Sequence, residues 1–168
     1  MAWLRSVTND RAVGGIAKLP AVQLPRDTVA KADQVVIAQI GGRSWHAIPH
    51  FTSGGRIITI GSNAAERSPF PGLAAYALSK SAMLGLTRHL ARELGPQGIT
   101  VNLVQPGPTD TDMNPANGGE LADLNRRLSA LNRYASPAEV AAATVFLASP
   151  AASYMTGSVV TVDGGWNA

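Results

Sequence analysis

The chain has 168 residues, 45% of them hydrophobic and 15% charged, so it holds enough apolar material for one globular domain with a sizeable core. Its formal charge of +3 is concentrated in residues 1–50, but the basic residues are scattered and only 5% of the chain is aromatic, which argues against nucleic-acid binding. The absence of cysteine excludes disulfides, thiol chemistry and thiolate metal sites.

The sequence shows no sign of a metal site, a membrane span or a secretion signal. His46 and His50 have helical spacing, but Pro49 between them disfavours a regular helix, and His89 is distant in the chain. No run approaches the roughly 18 apolar residues of a membrane span, and the first residues lack the apolar stretch of a signal peptide. We therefore expect no metal, no membrane partner and a cytoplasmic location.

Residues 1–50 are predicted to form an atypical N-terminal segment. Pro20 and Pro25 interrupt its apolar stretches, which indicates an irregular lead-in. A helix is possible over residues 28–46, with Asp27 or Thr28 as its N-cap. Its apolar face would consist of Val29, Ala32, Val36 and Ile40.

From residue 51 onward, strand patterns and helix patterns alternate. The β-branched run Arg56–Gly61 is bounded by glycines and reads as a buried strand. Apolar residues near helical spacing from about Leu73 to Leu94 predict a helix that stops at Gly95 and Pro96, and Ile99–Val104 reads as a second strand. The apolar positions of that helix are Leu73, Ala77, Ala82, Leu86, Leu90 and Leu94.

The last third of the chain continues the alternation. A hinge and a short amphipathic helix are predicted between Asn114 and Arg133, on the spacing of Leu121, Leu124, Leu128 and Leu131. The run from Ser136 to Glu139 is a capping box with proline at the first helical position, and Val159–Val162 is the last strand. Strands alternating with helices indicate an α/β fold with a parallel sheet covered on both faces.

Tyr76 and Lys80 are the most informative pair in the chain. Positions four apart lie on one helical face, so the Lys80 ammonium can sit beside the Tyr76 phenol and favour its ionised form. A phenol pKa of roughly 10 is otherwise poorly matched to proton transfer at neutral pH. Ser62, at the end of the first predicted strand, could hold a carbonyl oxygen while Tyr76 protonates it.

Four segments of the chain resemble the short-chain dehydrogenase/reductase family in order and spacing. They are GRIITIGS at Gly55–Ser62, YALSKSAMLGLTRHLAREL at Tyr76–Leu94, GITVNLVQPGPTDTDM at Gly98–Met113 and YMTGSVVTVDGG at Tyr154–Gly165. Within the family the chain looks most like bacterial 3-oxoacyl-carrier-protein reductases and related oxidoreductases. The resemblance implies that residues 51–168 are the C-terminal catalytic part of a Rossmann-like domain.

The resemblance also implies roles for individual residues. The catalytic residues would be Tyr76 as general acid/base, Lys80 as its activator and Ser62 as the residue that polarises the carbonyl. The residues that bind the cofactor would be Tyr76, Lys80, Pro106, Gly107 and Thr111. From the residues alone, Ser62 could equally be a polar strand terminus, and Pro106 and Gly107 an ordinary turn after a strand. The leucine-rich segment before Arg133 would be a mobile lid over the substrate, or would simply pack on the sheet.

One expected feature of the family is missing from the sequence. The glycine pairs at Gly14, Gly41 and Gly54 lack the spacing of a turn that holds the pyrophosphate of a dinucleotide. The family's relay asparagine has no match either. The fold is therefore predicted to be an incomplete Rossmann-like sheet that lacks the N-terminal strands and the glycine-rich turn, and the choice between NAD and NADP cannot be read.

Two functions follow from these observations. The first is an NAD(P)-dependent oxidoreductase acting on a small-molecule carbonyl or secondary alcohol, with 3-oxoacyl compounds among the candidates. The second is a truncated, non-catalytic relative that cannot bind a dinucleotide. The resemblance also implies a homo-oligomer, either a dimer or a tetramer.

Overall fold

A computed structural model describes residues 35–38, 51 and 53–168 of the chain. In these residues four strands form one parallel sheet in the order β1-β2-β3-β4. The strands are β1 (Val35–Ala38), β2 (Arg56–Ile60), β3 (Thr100–Pro106) and β4 (Val159–Val162). The helices are α1 (Ala74–Leu94), α2 (Glu120–Leu128) and α3 (Pro137–Ala148). The predicted fold class, a Rossmann-like parallel sheet flanked by helices, is confirmed.

Strand β1 corrects the helix predicted for residues 28–46. Its backbone pairs in parallel with β2, so that Val35 lies opposite Arg56 and Ala38 opposite Thr59. The run of three β-branched residues suits a pleated strand, and pairing with β2 outweighs the helical spacing of the apolar positions. The remainder of that predicted helix, and the irregular lead-in before it, lie outside the described residues.

Strands β2 and β3 form the buried centre of the sheet. They pair in parallel from Arg56 opposite Thr100 to Ile60 opposite Val104, as the two predicted strands require. Both strands are buried on both faces, which explains why they read as continuous apolar runs rather than alternating ones. One face packs on α3 through the buried cluster Ile58, Ile60, Val104, Val140, Leu147, Ala148 and Ala152. The other packs on α1 through Ile57, Ala91, Leu94, Ile99 and Val101.

Helix α1 begins and ends as predicted, but it buries a different face. Its buried residues are Lys80, Met83, Thr87, Ala91 and Leu94. Of the apolar positions that predicted the helix, only Leu94 is buried, whereas Ala82 is exposed. Apolar spacing predicted the helix correctly, and the structure adds that a lysine and a threonine occupy two positions of its inner face.

Helix α3 begins with the predicted capping box. The Ser136 backbone N–H donates a hydrogen bond of 2.8 Å to Oε2 of Glu139, and Pro137 is the first helical residue. Arg133 donates two further bonds, of 2.8 and 2.6 Å, to the two oxygens of the same carboxylate. The Arg133 guanidinium and the Ser136 N–H together lower the pKa of Glu139 to about 2. This carboxylate therefore fixes both the start of α3 and the loop before it.

In the part of the chain that the structure describes, no helix combines the length and the apolar character needed to cross a membrane.

Candidate active site at the carboxyl edge of the sheet

The carboxyl ends of β2 and β3 bring two predicted site segments to one edge of the sheet. Ser62 follows β2 after a single glycine, and Gly107 follows β3 directly. The Gly61 N–H donates a 2.7 Å bond to the Val104 carbonyl, which keeps the two chains aligned beyond the end of β2. Ligands of parallel α/β sheets bind outside this edge. The geometry therefore places Ser62, Pro106 and Gly107 where such a ligand would lie.

Ser62 is buried and caps a short 3₁₀ turn. The turn covers Asn63–Ala65, and the Ser62 Oγ accepts a 3.2 Å bond from the Ala64 N–H. A hydroxyl has one proton to donate and two lone pairs to accept with, and capping uses only a lone pair. The Ser62 proton thus stays available for a carbonyl oxygen.

Tyr76 and Lys80 lie in the first two turns of α1, next to this capped turn. Ser81 ties the two elements together, because its Oγ donates a 2.7 Å bond to the Ala65 carbonyl. The Tyr76 side chain is 45% exposed whereas Lys80 is only 8% exposed. The Lys80 Nζ lies 5.5 Å from the centroid of the Tyr76 ring, within cation–π distance. The predicted Tyr–Lys pairing on one helical face is therefore present.

Lys80 is a buried lysine that forms no salt bridge among the described residues. Burial lowers the pKa of Lys80, because removal from water disfavours the charged form. Across residues 51 and 53–168, the salt bridges join other groups, and none offers Lys80 a carboxylate. A buried ammonium with three donors requires acceptors. A ligand rich in hydroxyl oxygens at this edge would supply them.

Gly107 sits where the chain after β3 touches the chain after β4. Its N–H donates a 3.0 Å bond to the Val162 carbonyl. A Cβ at this position would lie 2.6 Å from the Asp163 Cβ and 2.7 Å from the Asp163 Cα. Only glycine fits so close an approach, so Gly107 here is more than an ordinary turn residue.

Thr111 is held by a local turn in the loop that follows β3. The Asn114 N–H bonds to the Thr111 carbonyl at 3.0 Å and approaches the Thr111 Oγ1 at 3.2 Å. The structure thus fixes the hydroxyl within its own loop. Its position relative to a cofactor stays a prediction.

Helix α2, predicted as the short amphipathic helix, turns its leucines outward. Leu121, Leu124 and Leu131 are exposed, whereas Ala122 and Asn125 are buried. Three of the four leucines therefore do not pack on the sheet, whereas Leu128 is half-buried. The outward apolar side chains are free to meet another molecule, as a lid over a substrate would require.

A buried hydrogen-bond chain that the sequence did not reveal joins α2 to the Thr111 loop. The Asn125 Nδ2 donates a 3.1 Å bond to the Tyr134 hydroxyl, which donates a 3.2 Å bond to Asn114 Oδ1. The three residues lie 9 and 20 positions apart, so no local spacing marks them. The tertiary fold alone brings them together.

In the described ranges no three histidine, aspartate or glutamate side chains come close enough to hold an ion.

Comparison with known proteins shows which proteins this chain resembles. The family model described as enoyl-(acyl carrier protein) reductase matches residues 9–167. The chain is 45% identical over 148 residues to the cyclic-di-GMP-binding biofilm dispersal mediator protein of Escherichia coli, a match that covers 88% of this chain and 62% of that protein.

Two solved structures are similar as well. A short-chain dehydrogenase/reductase from Serratia marcescens has a TM-score of 0.72 and 54% identity, covering 74% of this chain and 51% of that one. A short-chain dehydrogenase from Burkholderia cenocepacia in complex with NADP has a TM-score of 0.76 and 37% identity, covering 85% of this chain and 71% of that one. The chain thus spans about half to seven-tenths of the length of these relatives.

Proposed function

Because this chain belongs to the short-chain dehydrogenase/reductase family, we propose that it is an NAD(P)-dependent oxidoreductase acting on a carbonyl or secondary alcohol. One observation carries the proposal. An exposed phenol, Tyr76, lies over a buried ammonium, Lys80, at the sheet edge where Ser62 keeps a hydroxyl proton free. Proton transfer to a carbonyl oxygen needs a positioned acid/base group, and in this arrangement Tyr76 would be that group, with Lys80 and Ser62 assisting it.

Tyr76 is proposed as the proton donor and acceptor. In the reducing direction its hydroxyl proton goes to the carbonyl oxygen of the substrate, which becomes the alcohol oxygen. The exposure of the ring leaves the hydroxyl reachable from solvent and from a bound substrate. The phenolate that remains is stabilised by the positive charge of Lys80 over the same ring.

Ser62 is proposed to hold the same carbonyl oxygen. Its hydroxyl proton, left free by the capping bond from Ala64, donates to that oxygen and opposes the charge that develops there. The short 3₁₀ turn and its bond to α1 through Ser81 keep the hydroxyl at a fixed place relative to Tyr76.

The residues at the sheet edge fit a nicotinamide dinucleotide. Lys80 is proposed to donate to the ribose hydroxyls, Pro106 and Gly107 to lie beside the nicotinamide, and Thr111 to donate from the loop farther along. Such a cofactor, when bound, supplies or accepts the hydride at the substrate carbon. Its identity as NAD or NADP stays open, and so does the 3-oxoacyl assignment of the substrate.

A second candidate is that the chain binds no dinucleotide. The observation that favours it is in the sequence, where no glycine group has the spacing of a pyrophosphate-binding turn. The Ser62, Tyr76 and Lys80 arrangement would then be inherited without a partner. Contacts with a second copy of the chain could still be its function.

A titration with NADPH and with NADH, read by nicotinamide fluorescence, separates the two candidates. Saturable binding that Lys80→Met weakens at least tenfold, and that the exposed-site control Tyr154→Phe leaves unchanged, supports the oxidoreductase. Turnover is then assayed first on 3-oxoacyl thioesters and small ketones. A folded chain without binding up to about millimolar cofactor would establish the second candidate.

A further inference from the structure

The C-terminal residues Asp163–Asn167, here called the C-terminal clamp, fold back on themselves. The Asp163 carboxylate accepts bonds of 2.9 Å from the Gly165 N–H and 3.0 Å from the Asn167 N–H. Gly164 and Gly165 have φ values of 64° and 77°, in the region that favours glycine. The clamp is thus a built turn rather than a frayed chain end.

The C-terminal clamp forms hydrogen bonds and aromatic contacts with the segment that follows Ser62. The Arg67 Nη1 donates a 3.1 Å bond to the Trp166 carbonyl, and its guanidinium carbon lies 5.5 Å from the centroid of the Trp166 ring. The Asn167 Nδ2 donates a 3.1 Å bond to the carbonyl of Asn63, the residue next to Ser62. Phe70 packs on the buried Trp166 with ring centroids 6.2 Å apart.

The same turn also touches the two other segments of the candidate site. Asp163 lies against Gly107, as described above. The Leu131 N–H donates a 3.0 Å bond to the Gly164 carbonyl, and a Cβ on Gly165 would lie 2.7 Å from the Ala130 Cβ. Five consecutive residues therefore join the Ser62 segment, the loop after β3 and the chain that leaves α2.

We propose that the C-terminal clamp positions the Ser62 hydroxyl, with Trp166 and Arg67 as its positioning residues. The hydroxyl sits on a single 3₁₀ turn, and so short an element depends on outside contacts for its conformation. The C-terminal clamp supplies these outside contacts through its hydrogen bonds with Asn63 and Arg67 and through the packing of Trp166 on Phe70. The C-terminal clamp also contacts Ala130 and Leu131, which follow α2. A movement of these two residues therefore reaches Ser62 through contiguous contacts.

The catalytic part of this proposal rests on the proposed function, whereas its conformational part does not. The backbone offers a direct probe, because the N–H groups of Ala65, Glu66 and Arg67 donate to the Ser62 and Asn63 carbonyls within the turn. Their hydrogen exchange reports whether the turn is held. It can be measured on the 168-residue chain even if no cofactor binds.

The experiment compares three variants by hydrogen exchange and mass spectrometry. Arg67→Met removes the bond to the Trp166 carbonyl from an exposed side chain, so the fold is retained. Trp166→Phe keeps a ring for Arg67 and Phe70, and Tyr154→Ala is the control at a fully exposed aromatic. We expect Arg67→Met to speed exchange of residues 65–67 about tenfold, Trp166→Phe to have a smaller effect and the control none, with β2 and β3 unchanged.

Two results would overturn the proposal. One is exchange of residues 65–67 that Arg67→Met leaves at the wild-type rate. The other is an acceleration that spreads equally over β2 and β3, which would show general destabilisation. In an active chain, Arg67→Met should also lower kcat about tenfold and leave the Kd for NADPH unchanged. A wild-type chain without cofactor binding would refute the oxidoreductase, while the exchange data would still decide the role of the clamp.

Discussion

The Lys80 ammonium lies 5.5 Å from the centre of the Tyr76 ring and points beneath a phenol that is open to solvent. The two side chains share a face of α1, but they differ in exposure: Tyr76 is 45% exposed and Lys80 only 8%. A lysine stem can reach along an apolar surface and keep its charge in water, but Lys80 is buried and burial lowers its pKa. A charge kept inside without a carboxylate is costly, and such groups are found preferentially at functional sites.

Tyr76→Phe should abolish turnover and largely preserve binding. The ring stays in place over Lys80, so only the transferable proton is lost. We expect kcat to fall by a factor of roughly 10² to 10⁴, the usual contribution of a general acid/base, and the Kd for NADPH to rise by a much smaller factor, since Tyr76 is also predicted to contact the cofactor. Steady-state kinetics beside a fluorescence titration measure both quantities. Tyr154→Phe is the matched control, and equal activity of wild type and Tyr76→Phe would remove Tyr76 from the mechanism.

Lys80→Met should make the folded chain more stable. The substitution keeps the length of the stem and removes a buried charge that has no carboxylate partner among residues 35–38, 51 and 53–168. We expect the free energy of unfolding to rise by about 1–3 kcal/mol at neutral pH. Urea denaturation measures the change, and a loss of stability would mean that the ammonium is well satisfied in the fold.

The stability difference between Lys80→Met and the wild type should also depend on pH. Burial lowers the pKa of Lys80 in the folded state, while the unfolded chain retains a value near 10.4. The unfolded state therefore binds the proton more tightly, and the resulting penalty is complete below the folded pKa and vanishes above the unfolded one. The stability of the wild type should approach that of Lys80→Met as the pH rises through this alkaline window.

Gly107→Ala and Gly85→Ala form a pair with opposite expected signs. A Cβ at Gly107 would overlap the Asp163 Cβ at 2.6 Å, whereas one at Gly85, on the exposed side of α1, meets no atom within 4 Å. We expect Gly107→Ala to destabilise the chain by about 1–3 kcal/mol and Gly85→Ala to stabilise it by roughly 0.5–1 kcal/mol. Thermal melts of both variants test the pair, and a neutral Gly107→Ala would contradict the tight contact between the two loops.

Glu139→Gln should flatten the acid limb of the stability curve. Arg133 and the Ser136 N–H hold the pKa of Glu139 at about 2, below its ordinary value of 4.5. A carboxyl with a lowered folded pKa contributes stability above its unfolded pKa, and that contribution is lost as the pH falls toward the folded value. Melting temperatures between pH 5 and pH 2 should therefore fall more steeply for the wild type than for Glu139→Gln. Parallel curves would argue against the capping contact.

Short-range sequence patterns predicted most of the strands and helices of the fold. The strand Val159–Val162 and the capping box at Ser136 follow from short-range chemistry, and both were predicted where the structure has them. The helix over residues 28–46 failed because its apolar spacing also suits a strand, and only the neighbouring β2 decides between the two. The buried face of α1 could not be read from the same periodicity, because one of its inner positions is a lysine.

By itself, the sequence determined the α/β class through patterns a few residues long, and its four family-like segments supplied the resemblance and the three residues proposed for catalysis. The tertiary structure alone decided the burial of Lys80, the outward leucines of α2 and the clamp in which Trp166 meets Arg67, 99 positions away. The physical reason is how far apart in the chain the interacting residues lie. Helical turns and caps form between neighbours in the chain, whereas desolvation and packing depend on whatever the fold brings alongside.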